Sequence, residues 1–352
     1  MKNNEKFNFN LTSLSNCGGW ASKFSQSDLA QVLSQIQEFS NKDPNIIVGI
    51  SDGDDAGVYK INDELSLVMS VDFFPPIVDD PFIFGEISAC NAVSDIYAMG
   101  GIPIIGVNIV NYPKDVDKKF LVEIIKGATS KANESGFSII GGHTIVDQEP
   151  KFGMAITGLV KTGEEITISN ANPGDHLILT KPIGSGIITT ASKGKNFSES
   201  VLSNAINHMT QLNHQASHIM TSLKANACVD ISGYGLIGHT IEILNASNLS
   251  GIIHSSEIPI MQGVFDLAKK DMIPNGTKEN FKYSEQHTKW DKNIQKYEKL
   301  VYCDAQTSGG LLISINKEKS NLLLNQLHLA GIKDSAIIGE VTENQNTKLI
   351  IK

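Results

Sequence analysis

Asp52, Asp54 and Asp55 bring three carboxylates within four residues, with Gly53 and Gly57 interleaved. Glycine permits a tight backbone path that a side chain would forbid. Crowded carboxylates repel one another, so a fold that gathers them supplies a cation or solvates them well. Two readings stand on these residues: a solvated turn between strands, or the acidic lining of a cation-dependent site. An EF-hand does not fit. Counting Asp52 as position 1 puts Ala56 at position 5 and Asp63 at position 12, where that motif takes Asp or Asn and then Glu. Similar stretches of acid and small residues recur. Asp72 ends an apolar run, Asn91 and Asp95 stand at i and i+4, and Asp230 precedes the glycine-rich Ser232–His239.

These groups need elements to aim them. The apolar run Ile46–Ile50 enters the acidic loop and Val58–Tyr59 leaves it as strand. Leu65–Asp72 reads as a strand ending in a carboxylate, and prolines keep Phe73–Asp80 extended. Gly85–Gly101 predicts a helix of small residues closed by glycine, with Asn91 and Asp95 on one face. That pair is either a set of bonded core polar groups or part of a site. Ile102–Val110 predicts a strand, Asp115–Ser135 a helix, and Met154–Val160 a further strand. Ser138–Thr144 predicts a strand running into a Gly141–Gly142 turn, whose amides can approach an anion closely. His143 beside it, taken alone, reads as structural.

The turn Asn172–Asp175 marks a domain boundary nearby. Beyond it come a strand at Leu177–Thr180 and a glycine-rich turn at Pro182–Gly186 leading into a helix. That turn lacks the Walker spacing and is only a weak phosphate motif. A helix over 199–222, a strand reaching Asp230, a loop at Pro274–Asn280, the stretch Asp304–Leu312 running into a strand, and a final helix and strand follow. Residues 1–27 are polar and predict a mobile arm. It carries Ser15–Lys23, which is either a reactive loop built on Cys17 and Lys23 or a tail with an incidental cysteine. Ser27 and Asp28 predict a cap for a helix with an apolar stripe at Leu29, Val32, Leu33 and Ile36.

The 352 residues suffice for two domains with cores, at 41% hydrophobic and 19% charged. A net charge of −9 argues against nonspecific nucleic-acid binding. Cys17, Cys90, Cys228 and Cys303 show no paired spacing, which suits a reducing compartment. No run approaches a membrane span and the first residues lack a signal-peptide core, so the expectation is a soluble cytoplasmic protein.

Gly53–Tyr59, Val71–Asp79, Asn91–Gly101, Gly141–His143, Asp230–His239 and Asp304–Gly310, in this order, resemble selenophosphate synthetases (selenide, water dikinases) over nearly the whole chain. The acidic loop and Gly-Gly segment are shared with the wider superfamily of aminoimidazole ribonucleotide synthetase and thiamine-monophosphate kinase. The Asn91–Gly101 and Asp230–Gly235 runs and the Cys17–Lys23 arm are more specific. The resemblance implies the reaction ATP + selenide + water → selenophosphate + AMP + phosphate. It implies Asp55, Asp95 and Asp230 as ligands of Mg2+, and Lys23, Asp52, Gly53, Asp54, Asp72, Gly141, Gly142 and His143 as the ATP site. Lys23 would offset charge on the phosphoryl group in transfer. An arm closing over ATP would exclude water.

The fold so implied is α+β, of the two-domain aminoimidazole ribonucleotide synthetase-like kind. It has an arm at 1–27, an ATP- and magnesium-binding domain at 28–168 whose strands join a barrel shared in a homodimer, and a C-terminal α/β domain at 169–352. Two other functions stay open: a phosphoryl transferase on thiamine monophosphate, and a nucleotide-binding regulator without catalysis. The arm itself departs from the family. Aligned on Gly19 and Lys23, Trp20 stands where relatives carry a Cys or selenocysteine nucleophile. An indole has one N–H donor and no group that ionises near neutral pH, so it cannot act as that nucleophile. UGA encodes selenocysteine in one context and tryptophan in another, so the expectation is a native selenocysteine at position 20, with Cys17 as the remaining thiol of the arm; the alternative is a natural Trp in a divergent or inactive member.

Overall fold

Alternation in Leu65–Phe74 sorts its side chains onto two faces. Ser66, Val68, Asp72 and Phe74 are buried, while Met69, Val71 and Phe73 are exposed. In the computed structural model, which describes residues 10–15, 32, 43–50, 52–194 and 198–352, this strand lies inside a six-stranded sheet. Strands β1 (Ile46–Val48), β2 (Gly57–Lys60), β3 (Leu65–Phe74), β4 (Ile102–Tyr112), β5 (Ser138–Val146) and β6 (Lys151–Lys161) pair in the order β1-β2-β3-β6-β4-β5. The pairs are antiparallel except β4 with β5. Parallel neighbours need a long crossover, and helix α2 (Lys118–Ser135) supplies it between them. Helix α1 (Pro81–Ala98) joins β3 to β4.

The second sheet has seven strands in the order β10-β13-β9-β12-β7-β11-β8. They are β7 (Asp175–Leu179), β8 (Ala227–Asp230), β9 (Ser250–Ile253), β10 (Thr288–Trp290), β11 (Leu311–Asn316), β12 (Ala336–Thr342) and β13 (Leu349–Ile351). Eight helices intervene among the described residues: α3 (Ser185–Lys193), α4 (Glu199–Met209), α5 (His214–Ser222), α6 (Gly235–Ala246), α7 (Val264–Lys269), α8 (Asn275–Glu285), α9 (Lys296–Tyr302) and α10 (Lys317–Leu329). The fold is therefore α+β, with two mixed sheets. No helix among the described residues is long and apolar enough to cross a membrane.

Helix α1 is buried on every side, from Ile87 through Ala98. A helix buried all round belongs in the middle of a core rather than on its surface. One side meets the first sheet and the other meets the second half of the chain. Side-chain bonds that fasten it there include Cys90 Sγ to the Thr210 carbonyl at 3.2 Å, Asn213 Nδ2 to Ser94 Oγ at 2.9 Å, Ser217 Oγ to the Tyr97 carbonyl at 2.7 Å and the Ser308 amide to Asn91 Oδ1 at 2.9 Å. Small residues make this fit. A Cβ on Gly85 would stand 1.9 Å from the Ile124 carbonyl oxygen of α2, and one on Gly127 would stand 1.9 Å from that of Phe82. The two helices thus meet backbone to backbone.

Several expected boundaries differ. Helix α1 starts four residues before Gly85, because Pro81 is tolerated at the first position and Asp80 caps the Ile83 amide at 3.0 Å. Helix α2 starts at Lys118 because Asp117 caps Lys119. Gly141–Gly142 is no turn but the middle of β5. The expected helix over 199–222 breaks into α4 and α5, and Asn213 at the break turns its side chain to Ser94 and the Gly309 carbonyl. Pro274–Asn280 is the start of α8 rather than a loop, with Pro274 at its N-terminal boundary. Cys17, Trp20, Lys23 and the helix expected after Ser27, Val32 apart, lie outside the described residues. Within the segment expected as an arm, Leu11 is buried, and the amide and hydroxyl of Thr12 donate to Asp79 at 3.0 and 2.7 Å.

Gly127→Ala should therefore destabilise the protein by about 1–3 kcal/mol through overpacking. Urea unfolding of the variant beside the unsubstituted chain measures this, and equal midpoints would contradict the close approach of α1 and α2.

Candidate metal and nucleotide site

Asp55 lies in the loop before β2, Asp95 in the last turns of α1, and Asp230 at the end of β8. One carboxylate oxygen from each lies within 4.8 Å of the other two. The site thus forms where the two halves of the chain meet. Asp55 accepts the Asp230 amide at 2.9 Å, and Ser70 Oγ on β3 donates to Asp95. Ser70 stands two residues before Asp72, so the two share a face of β3; that period was the available signal for a residue the motifs missed. Asp72 accepts from Asn91 Nδ2 at 2.8 Å, and Asn91 Oδ1 accepts the Ser308 amide at 2.9 Å. Asn91 is thus a bonded core polar group standing beside the acidic cluster.

The other two acids of the loop take backbone amides, Asp54 a distant one and Asp52 a local one. Asp54 accepts the Ile168 amide at 2.7 Å, and Asp52 accepts the Gly49 amide at 2.6 Å. Gly53 takes φ 75°, a left-handed conformation that suits glycine. Burial and the Asp230 charge push the Asp55 carboxyl well above the usual carboxylate range. Burial, then Asp72, Asp230 and Asp55, do the same to Asp95, against the lowering effect of Ser70. Burial raises Asp54 to about 6. No salt bridge reaches Asp55, Asp95 or Asp230 among the described residues. The chain contains no arginine. Buried Lys181 spends its ammonium on the carbonyls of Gln211 and Ser308, at 2.6 and 3.0 Å.

A cation fits this arrangement. Asp230 Oδ2 is buried without a hydrogen-bond donor among the described residues. Such an oxygen is costly unless something positive meets it. The donor set is all oxygen, which matches a hard divalent ion rather than zinc or copper.

Other sequence-derived candidates sit elsewhere. Gly141, Gly142 and His143 lie on β5, an edge strand separated from β3 by β4 and β6. That is three strand spacings, roughly 14 Å, from the Asp72 strand. Gly142 has its own packing reason there, since a Cβ would stand 2.6 Å from the Asn108 carbonyl oxygen. The Pro182–Gly186 turn is filled from within. Gln306 Oε1 takes the Gly184 and Ser185 amides at 2.8 and 3.0 Å, and Asp304 takes the Ile187 amide at 3.0 Å. Burial raises Asp304 to about 7. Cys90 and Cys303 are buried with thiols pushed up to about 12, and burial raises Cys228 as well, so none of these is a reactive thiol. A cavity of about 1280 Å3 opens between the halves, lined by Lys161, Glu164, Asn170, Asn172, Lys224 and Asn226 among others. It holds none of the clustered acids, and the convergent chemistry lies with them.

Residues 53–160 match the family AIR synthase related protein, N-terminal domain, and residues 172–352 match its C-terminal domain. The chain is 44% identical to a selenide, water dikinase of Myxococcus xanthus, over 94% of each chain. It is 41% identical to a selenide, water dikinase of Clostridioides difficile, over 94% of this chain and 95% of that one. Among solved structures, the thiamine monophosphate kinase of Aquifex aeolicus superposes with a TM-score of 0.64 at 16% identity, covering 94% of this chain and 98% of that one. Hydrogenase maturation protein HypE in complex with ATP superposes with a TM-score of 0.64 at 17% identity, covering 92% and 88%. These two likenesses are of fold.

Metal-free protein should lose stability as pH rises. For Asp54, Asp55, Asp95 and Asp304 the folded state holds protons more tightly than the unfolded chain, whose carboxylates titrate near 3.8. Their contribution is then greatest below 3.8 and is lost as pH climbs through the raised values, about 6 for Asp54 and about 7 for Asp304. Thermal melts in a chelator should show this fall between about pH 5 and about pH 8, and a divalent cation should reduce it. In Asp55→Asn the cation should no longer stabilise. A cation effect undiminished in that variant would contradict the site.

Proposed function

The chain belongs to the selenide, water dikinase family, and from that premise we propose that it makes selenophosphate from ATP, selenide and water at the junction of its two halves. The observation that carries the reading is the trio Asp55, Asp95 and Asp230, an all-oxygen donor set with a buried oxygen that has no partner among the described residues. In this reading the trio holds Mg2+. Held by these three carboxylates, the ion would supply positive charge against the phosphates, which a chain of net −9 without arginine is short of. Asp52, Gly53, Asp54 and Asp72 line the nucleotide side. Ser70 and Asn91 hold Asp95 and Asp72 in place.

Lys23 supplies positive charge to the phosphoryl group in transfer, and the arm that carries it excludes water. Position 20 is the nucleophile's position, with Cys17 as the remaining thiol of the arm. Gly141–His143 join the nucleotide site only across a subunit interface in this reading, because within one chain β5 lies three strands from Asp72. A homodimer suits the first sheet. Met69, Val71 and Phe73 of β3, Ile102 of β4 and Ile140 of β5 stay exposed on it, and a broad apolar patch marks an interaction surface.

Phosphorus NMR of an anaerobic mixture of ATP, Mg2+ and selenide tests the reaction. With Trp20→Cys the spectrum should show selenophosphate, AMP and phosphate; the Trp20 chain should bind ATP and make little product. ADP as the end product, or full activity with Trp20, would overturn the assignment of chemistry or of that residue respectively. In the Trp20→Cys background, Asp55→Ala or Asp230→Ala should abolish ATP consumption, and near-unchanged turnover would remove that ligand from the site. Analytical ultracentrifugation should report a dimer that Val71→Lys weakens. A monomer at working concentration would contradict the shared-interface reading.

A further inference from the structure

Helix α6 follows Asp230 after a four-residue loop, Ile231–Tyr234. His239, one turn into that helix, is 4% exposed and folds back on the loop. Its Nε2 lies 3.2 Å from the Ser232 amide, 3.4 Å from the Tyr234 amide and 3.3 Å from Ser232 Oγ. Its Nδ1 lies 2.8 Å from Glu242 Oε2. Amides only donate, so Nε2 accepts and carries no proton, and the ring is the neutral Nδ1–H tautomer donating to Glu242. The Tyr234 ring packs on the imidazole at 5.3 Å between centroids.

We propose that His239 is a positioning residue for Asp230, clamping the Ser232–Tyr234 backbone so that the end of β8 aims its carboxylate at the metal position. The inference rests on the reading of Asp55, Asp95 and Asp230 as the metal site. Asp230 needs such a support because its Oδ2 has no hydrogen-bond donor among the described residues to orient it. Its aim follows from its backbone. That backbone is tied by the Asp230 amide to Asp55 at 2.9 Å and by the Ile231 amide to the Gly310 carbonyl at 2.8 Å. Further along the loop, the amides of Ser232 and Tyr234 are tied by His239. Asn280 Nδ2 holds the Gly233 carbonyl at 2.8 Å and closes the loop from the other side. The donors ahead of a helix are a ready anion site when open. Here one imidazole nitrogen occupies them, which keeps the loop from turning toward a phosphate and holds β8 fixed. Glu242 sets which nitrogen is bare, the arrangement by which an outer carboxylate fixes a histidine.

Two substitutions separate the two ends of the ring. His239→Gln brings an amide oxygen to the position of Nε2, and His239→Asn keeps a donor near Glu242 but falls short of the loop. Electron paramagnetic resonance of free Mn2+ titrated with protein gives affinity without reference to turnover. His239→Asn should weaken Mn2+ binding roughly 10- to 100-fold, and His239→Gln should recover most of it, with both variants melting as folded proteins. Folded His239→Asn binding Mn2+ as tightly as the unsubstituted chain, or equal impairment of the two variants, overturns the inference alone. No Mn2+ binding by the unsubstituted chain, or binding unaffected by Asp230→Asn, overturns the metal reading and this inference with it. If His239→Asn does not fold, nitrogen NMR of the imidazoles in the unsubstituted protein decides. A bare Nε2 on a neutral His239 supports the clamp, and a protonated Nε2 overturns it.

Discussion

Mutual repulsion among Asp55, Asp95 and Asp230 is the constraint that the rest of the structure answers to. Two unit charges about 4 Å apart repel by about 4 kcal/mol at an effective dielectric constant near 20. A fold bears that only by protonating a carboxylate or by meeting the group with a cation. The raised carboxyls of Asp55 and Asp95 are the first response. The oxygen-only donor set is the place for the second. No one element carries the cluster. A loop of the first sheet, the central helix and a strand of the second sheet each bring one acid, so the site exists only when the halves dock.

Helix α1 makes that docking specific. Its small residues let it lie against α2 on one side and the second half on the other, and they leave room for polar groups along its length. Asn91 uses both ends of its amide, one on Asp72 and one on the Ser308 backbone. It thereby links an acid of the first sheet to the loop before β11. Ser308 itself sits at φ 51°, an uncommon conformation for a residue with a side chain. Lys181 holds its carbonyl from behind. The site's acids are therefore supported by a bonded layer that spans both halves.

Local pattern made many of the elements legible. Strand β3 declared itself by alternation, α1 by its small residues and closing glycines, and the end of β8 by a carboxylate before glycines. Where local chemistry is ambiguous the reading slipped. Pro274, Asn275 and Gly276 look like a loop but open a helix, and no glycine or proline announces the break at Thr210–Asn213. Glycines at 141 and 142 promised a turn, yet their lack of side chains serves close strand packing. The order of the sheets was beyond reach, because strand pairing joins distant segments. The acids were legible as chemistry but not as a cluster. Asp52, Asp54 and Asp55 are neighbours in sequence, but Asp52 and Asp54 turn to nearby amides and only Asp55 meets Asp95 and Asp230. The resemblance grouped those three; their residue types alone did not. The supporting roles of Ser70 and His239 became visible only with the geometry, although His239 closes the Asp230–His239 run and Ser70 shares a strand face with Asp72.

The central claim is that acids from both halves converge on one divalent cation. Anomalous diffraction from crystals of this protein soaked in Mn2+ tests it most directly. The account predicts a peak bounded by Asp55, Asp95 and Asp230 together. A peak confined to Asp52 and Asp54, or none between the two halves, would contradict it.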